Sequence, residues 1–193
     1  QFTKVTGVWA SEDARDKTQL SETTNAYILT YIDGTVQTVS KLNMRTSLIR
    51  DNQGNELSFT YNGNQLQKIQ HSDGQSLTFT WSSGKVASVT DDQGRKVIYG
   101  YTGNLLTSVT AFNGLVTRYV YHAADSTPMS RALKQIVYPD GTTKDYTYDN
   151  IGRVATISVN GNKFTTEIVR GLCGSYSVIA PNGGVTEVTV GAK

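Results

Sequence analysis

The sequence predicts an all-β chain: a tandem array of β-hairpins of about 20 residues each, forming a curved or spiral sheet. Three observations predict it. Turn glycines recur at Gly34, Gly54, Gly74, Gly94, Gly114, Gly141, Gly161 and Gly183, spaced by 20, 20, 20, 20, 27, 20 and 22 residues. Aromatic residues follow five and seven positions after the glycine: Phe59 and Tyr61, Phe79 and Trp81, Tyr99 and Tyr101, Tyr119 and Tyr121, Tyr146 and Tyr148. An apolar pair at i, i+3 closes each unit: Leu66 and Ile69, Val86 and Val89, Leu106 and Val109, Leu133 and Ile136, Val154 and Ile157.

The elements follow in chain order. Residues 1–29 lie outside the period and read as an N-terminal strand and cap segment. "FTKVTGVWA" and "AYILTYI" alternate as strands do, and the polar stretch "SEDARDKTQLSETTN" between them reads as a loop or one short helix. The repeat array occupies 30–193. Residues 71–90, "HSDGQSLTFTWSSGKVASVT", show its unit. Asp73-Gly74 signals a tight turn. Leu77, Phe79 and Trp81 then alternate with Ser76, Thr78 and Thr80, so the large side chains share one face. Ser83-Gly84 turns the chain, and Val86 and Val89 bracket the return strand. Their spacing of three breaks strict alternation and predicts a bulge. Two strands per unit give roughly 14 strands, a sheet near 65 Å long at about 4.8 Å per strand. A sheet of that length curls, splits or closes.

Between Tyr121 and Leu133 the connection lengthens, giving a loop insertion near 122–132. Insertions into repeat arrays fall on loops and often carry binding, so His122, Asp125 and Arg131 are the candidate binding residues. After Gly161 the aromatic positions become Thr166 and Ile168, and the C-terminal end is degenerate. "APNGGVTEVTV" returns to the pattern for one strand, leaving the array half a repeat short and an edge free to pair with another chain.

Composition narrows the function. Eighteen basic and 16 acidic residues give a net charge of +2 without a basic stripe, which disfavours nucleic acid. No window has the apolar length of a membrane span. The chain opens at Gln1 without an initiator Met, as a processed or excised protein would, so a secreted or cell-surface location is expected. The single cysteine, Cys173, has no internal disulfide partner and reads as a small half-buried hydrophobe. The histidines His71 and His122 read as exposed loop or strand-end residues. No nucleophile elbow, phosphate loop or metal-spaced Cys/His cluster is present, so no catalytic, cofactor or metal residues are assigned. Turns such as "DNQG" and "DDQG" carry too few carboxylates for a calcium loop and match ordinary turn chemistry. The aromatics are expected to form a buried ladder, through a filled barrel or through self-association.

"YDNIGRVATI" at 148–157 and "PDGTTKDYTYD" at 139–149 resemble the Rhs-repeat, or YD-repeat, family. The resemblance spans about residues 32–190 and is strongest at 138–158. It implies a long β-sheet wound into a shell or spiral. In bacterial toxins such shells enclose a toxic domain; in the animal teneurins a similar barrel belongs to an adhesion protein. The expected function is therefore a non-enzymatic extracellular scaffold. It would self-assemble into fibres through open strand edges or act in adhesion, with self-association and a surface glycan or protein as partners. The alternative is a fragment of an Rhs-type shell that encapsulates a toxin domain.

Overall fold

The computed structural model describes residues 2–5, 8–11, 17–171 and 175–188. Cys173 lies outside them. The chain is all-β, with no helix among the described residues, and it divides into two compact units, Gln1–Val97 and Ile98–Lys193.

The first unit opens with an antiparallel hairpin of β1 (Phe2–Val5) and β2 (Val8–Ser11). A meander follows in which each strand pairs antiparallel with the next. Its strands are β3 (Gln19–Glu22), β4 (Ala26–Thr30), β5 (Val36–Ser40), β6 (Thr46–Arg50), β7 (Glu56–Asn62), β8 (Gln65–His71), β9 (Ser76–Ser82) and β10 (Lys85–Asp91). The polar stretch expected to be a loop or helix thus contains strand β3. Its side chains are exposed or half-buried, and pairing with β4 decides the conformation where periodicity gave no signal.

Trp9 meets the Tyr27 ring edge-on at a centroid distance of 6.0 Å. Glu22 accepts from both Lys4 and Lys41, and Lys41 also donates to the Thr23 carbonyl and stacks on Tyr27. The hydrogen bond from Lys4, then that from Lys41, holds the Glu22 carboxyl down at about 2. This network ties the first hairpin to the meander.

In the second unit the meander runs through β11 (Lys96–Thr102), β12 (Leu105–Thr110), β13 (Val116–Tyr121), β14 (Leu133–Val137), β15 (Thr143–Tyr148), β16 (Val154–Val159), β17 (Phe164–Arg170), β18 (Tyr176–Ile179) and β19 (Val185–Val188). Again each strand pairs antiparallel with its successor. The described strands β3 to β19 outnumber the expected 14 by three, because residues 19–30 supply β3 and β4 and the C-terminal end supplies β19.

The predicted bulge is present in successive hairpins. Tyr61 pairs with Leu66 and Thr60 with Lys68, so Gln67 is the extra residue. Ala87, Thr107, Lys134 and Ala155 are extra in the same way, and Ser47 in the β5–β6 hairpin. Residues three apart on a regular strand face opposite sides. One bulged residue between them restores the phase, so Leu66 lies across from Tyr61 and Ile69 across from Phe59, all on one face.

That ladder face is not a core. Among the described residues no apolar side chain is fully buried, and the only side chains below a tenth exposed are Ser88 and Ser158 on the opposite face. The ladder residues are half-buried, with Leu77 41% and Tyr101 37% exposed. The expectation that a filled barrel buries the ladder is corrected to this extent: within one chain, hairpins packed side by side shield only the flanks of each ring.

Candidate functional site

Three features gather polar and apolar chemistry: the repeat staples, the insertion loop, and the turn rims.

The staples use the residue seven positions after the turn glycine. Trp81 Nε1 donates to the Leu66 carbonyl at 2.8 Å, Tyr121 Oη to Leu106 at 2.7 Å and Tyr148 Oη to Leu133 at 2.6 Å. Each acceptor lies 15 residues back, at the first or second residue of the preceding return strand, beside the bulge that disrupts the ladder there. Burial, then the neighbouring Tyr119 and Tyr146, raises the pKa of the Tyr121 and Tyr148 phenols, so they remain donors.

Register corrects the C-terminal reading. Ile157 pairs with Thr166, as Ile136 pairs with Lys144. The ladder positions are therefore Ile168 and Arg170 rather than Thr166 and Ile168. Arg170 Nη1 donates to the Val154 carbonyl at 2.7 Å, the bond a tyrosine makes in the earlier repeats. Counting from Gly161 missed it because that turn places its glycine two residues earlier relative to the paired strands.

The turns assign the rest of the hallmark. Asp149 Oδ1 accepts from the backbone of Ile151 and Arg153, Oδ2 pairs with Arg153 Nε at 2.8 Å, and Gly152 sits at φ 83°. Asp91 and Arg95 make the same pair at 2.6 Å, and Asp51 uses Asn55 instead. These carboxyls lie below their ordinary range. The Arg153 backbone hydrogen bond is the largest cause at Asp149 and the Asn55 amide at Asp51; at Asp91 burial pushes upward but the Arg95 bonds outweigh it. The structural positions Gly54, Gly74, Gly94, Gly114 and Gly141 all have positive φ, as these turns require.

The insertion loop is closed at its base by the His122 N–H donating to Ala132 O at 2.9 Å. Asp125 Oδ1 accepts from the Thr127 backbone and hydroxyl, while the Asp125 N–H donates to Ser130 Oγ at 3.0 Å. The Thr127 hydroxyl, its backbone N–H and the nearby His122 keep the Asp125 carboxyl low. His122 is half-buried rather than exposed. Its ring meets Tyr148 edge-on at 5.8 Å, and its Nε2 has no hydrogen-bond partner. Arg131 is exposed at φ 60°. The structure brings His122 near Asp125 but gives them different work: Asp125 folds the loop and His122 packs it against the next staple. A Cβ on Gly152 would come within 2.6 Å of the Pro128 carbonyl, so the loop rests directly on the 149–153 turn.

At the turn rim of the first unit, a groove of about 550 Å³ has Leu57, Ile69 and Leu77 on its floor. Its rim carboxylates Asp73 and Asp91 already contact His71 and Arg95. The second unit carries a groove of about 620 Å³ lined by Leu115, Tyr138, Pro139, Asp140 and Thr142. No group of three or more metal-ligating side chains gathers among the described residues, and none of them forms a helix long and apolar enough to cross a membrane.

No protein-family model matches the chain, and no curated protein matches it. Among solved structures, the chain is similar to chains described as "Crystal Structure of TcdB2-TccC3-Cdc42" and "Crystal Structure of TcdB2-TccC3". Identity is 18% and the TM-score 0.36 for each; the matches cover 80% and 79% of this chain and 9% of the other.

Proposed function

We propose that the chain is a non-enzymatic structural scaffold of YD repeats, secreted or displayed at a cell surface, whose ladder face is completed by further protein. One observation carries this reading: a row of aromatic and aliphatic side chains on one face, none of them fully buried. A contiguous apolar face left open along a sheet is the kind of surface that serves in interaction. The staples support the same reading, because a wall whose units are joined by one recurring bond extends without new design. The Rhs-type shell segment is the alternative use of such a wall, with an enclosed chain as the covering protein.

The test is dye binding alongside sedimentation. The native chain is expected to bind ANS before any unfolding and to lose dye as it associates. A native chain that binds no dye and sediments as a monomer at every concentration overturns the reading.

A further inference from the structure

We propose that Asn62 is a self-modifying site: its side-chain amide is hydrolysed by way of a cyclic imide formed with the Gly63 nitrogen, and the fold directs the reaction to this one of four Asn-Gly pairs. The pairs are Asn62-Gly63, Asn113-Gly114, Asn160-Gly161 and Asn182-Gly183, and every residue in them is exposed. Composition and access therefore do not separate them. Hydrogen bonding does.

The chemistry needs two freedoms. The backbone nitrogen after the asparagine must attack Cγ, so its N–H must not be committed to a carbonyl. The asparagine side chain must also be free to swing over that nitrogen. Glycine hinders the approach least, having no side chain. A group already held in a hydrogen bond reacts only after local opening.

Three of the pairs lack one freedom or both. The Gly114 N–H donates to Ala111 O and the Gly183 N–H to Ala180 O, each at 2.9 Å. In the same two turns the asparagine Oδ1 accepts from the N–H two residues on, from Leu115 at 3.2 Å and from Gly184 at 3.1 Å. Asn160 is pinned across the strands. Its Oδ1 accepts from the Thr143 N–H at 2.9 Å, and its own N–H donates to Thr143 O at 3.0 Å. Asn62 has neither restraint. It ends β7 opposite Gln65. Among the described residues its side chain makes no hydrogen bond, and the Gly63 N–H donates to no backbone carbonyl.

The step balances with water alone. The Gly63 nitrogen bonds to Asn62 Cγ, the Cγ–Nδ2 bond breaks, and the Gly63 proton leaves with Nδ2 as ammonia. Water then opens the ring at either carbonyl. One opening leaves aspartate and gives residues 61–62 the Tyr-Asp dipeptide that residues 148–149 carry. The other leaves isoaspartate, which lengthens the backbone where the β7–β8 hairpin closes. Either product adds a negative charge to a chain of net charge +2.

Peptide mapping by mass spectrometry tests this on the full chain held at mildly alkaline pH, folded and in urea. In the folded chain, conversion at Asn62 is expected to run at least about fivefold ahead of each other pair, the factor that one hydrogen bond of ordinary net worth withholds. In urea the four rates are expected to converge. Hydrogen exchange supplies a second reading, with the Gly63 amide expected to exchange faster than those of Gly114 and Gly183. A folded chain in which another pair leads overturns the proposal. So does an order that persists in urea, because sequence and not the fold would then set it.

Discussion

At the residue scale the hallmark divides into two jobs. Tyr148 reaches back to the previous repeat, while Asp149, Gly152 and Arg153 close the next turn. Tyr148→Phe keeps the ring and removes only the bond to Leu133 O. It is expected to cost about 0.5–1.5 kcal/mol in a urea titration. Arg170→Tyr is expected to keep the native melt within a few degrees, since a phenol makes this bond elsewhere, whereas Arg170→Leu lowers it. Equal melts for the two would remove the staple role from Arg170. Gly152→Ala meets both a positive φ and the Pro128 carbonyl, and a loss of about 1–3 kcal/mol is expected. Much of this scale was legible: the glycines and aromatics were placed by counting. Arg170 was not, because counting along the chain ignores a turn of different length and only cross-strand pairing reveals the equivalence.

At the element scale the bulge decides which face each return strand presents. Deleting Ala87 from β10 would restore regular pairing with Val86 and Val89 both still on the ladder face, and would remove the bend and added twist that the bulge supplies. The expected outcome is a destabilised first unit, read as a lower melting temperature. A deletion variant that melts like the parent would show that the bulge is dispensable. The turns add a pH dependence. The folded carboxyls of Asp51, Asp73, Asp91 and Asp149 lie below the ordinary value near 3.9. The stability they contribute is therefore present above about pH 4 and lost as pH falls through the lowered folded values. Melting temperature measured between pH 7 and pH 2 should drop in the acid range. Replacing the four aspartates with asparagine should flatten that drop, and an unchanged slope would assign it to other groups. The i, i+3 apolar spacing announced the bulge. Strand β3 was silent, because a short polar strand owes its conformation to its neighbour β4 and not to its own pattern.

At the scale of the whole chain, cohesion is distributed and local. Every strand from β3 within the first unit, and from β11 within the second, pairs with the one beside it in sequence. Among the described residues no fully buried apolar cluster centralises the stability of either unit. Sequence could announce the array but not the exposure of its ladder, since exposure depends on what lies opposite the face. Nor could it show that His122 would be lodged against Tyr148, or that Leu42 would stand almost wholly in solvent.

The staples also have a direction. The donor always comes later in the chain than the acceptor, by 15 or 16 residues. A hairpin leaving the ribosome is thus complete in its own pairing but unlatched, and it is latched only when the next strand emerges. Folding by such accretion runs in the order of the chain, and its contacts close short loops, which favours speed. At every moment of synthesis one hairpin, the newest, waits for its clasp.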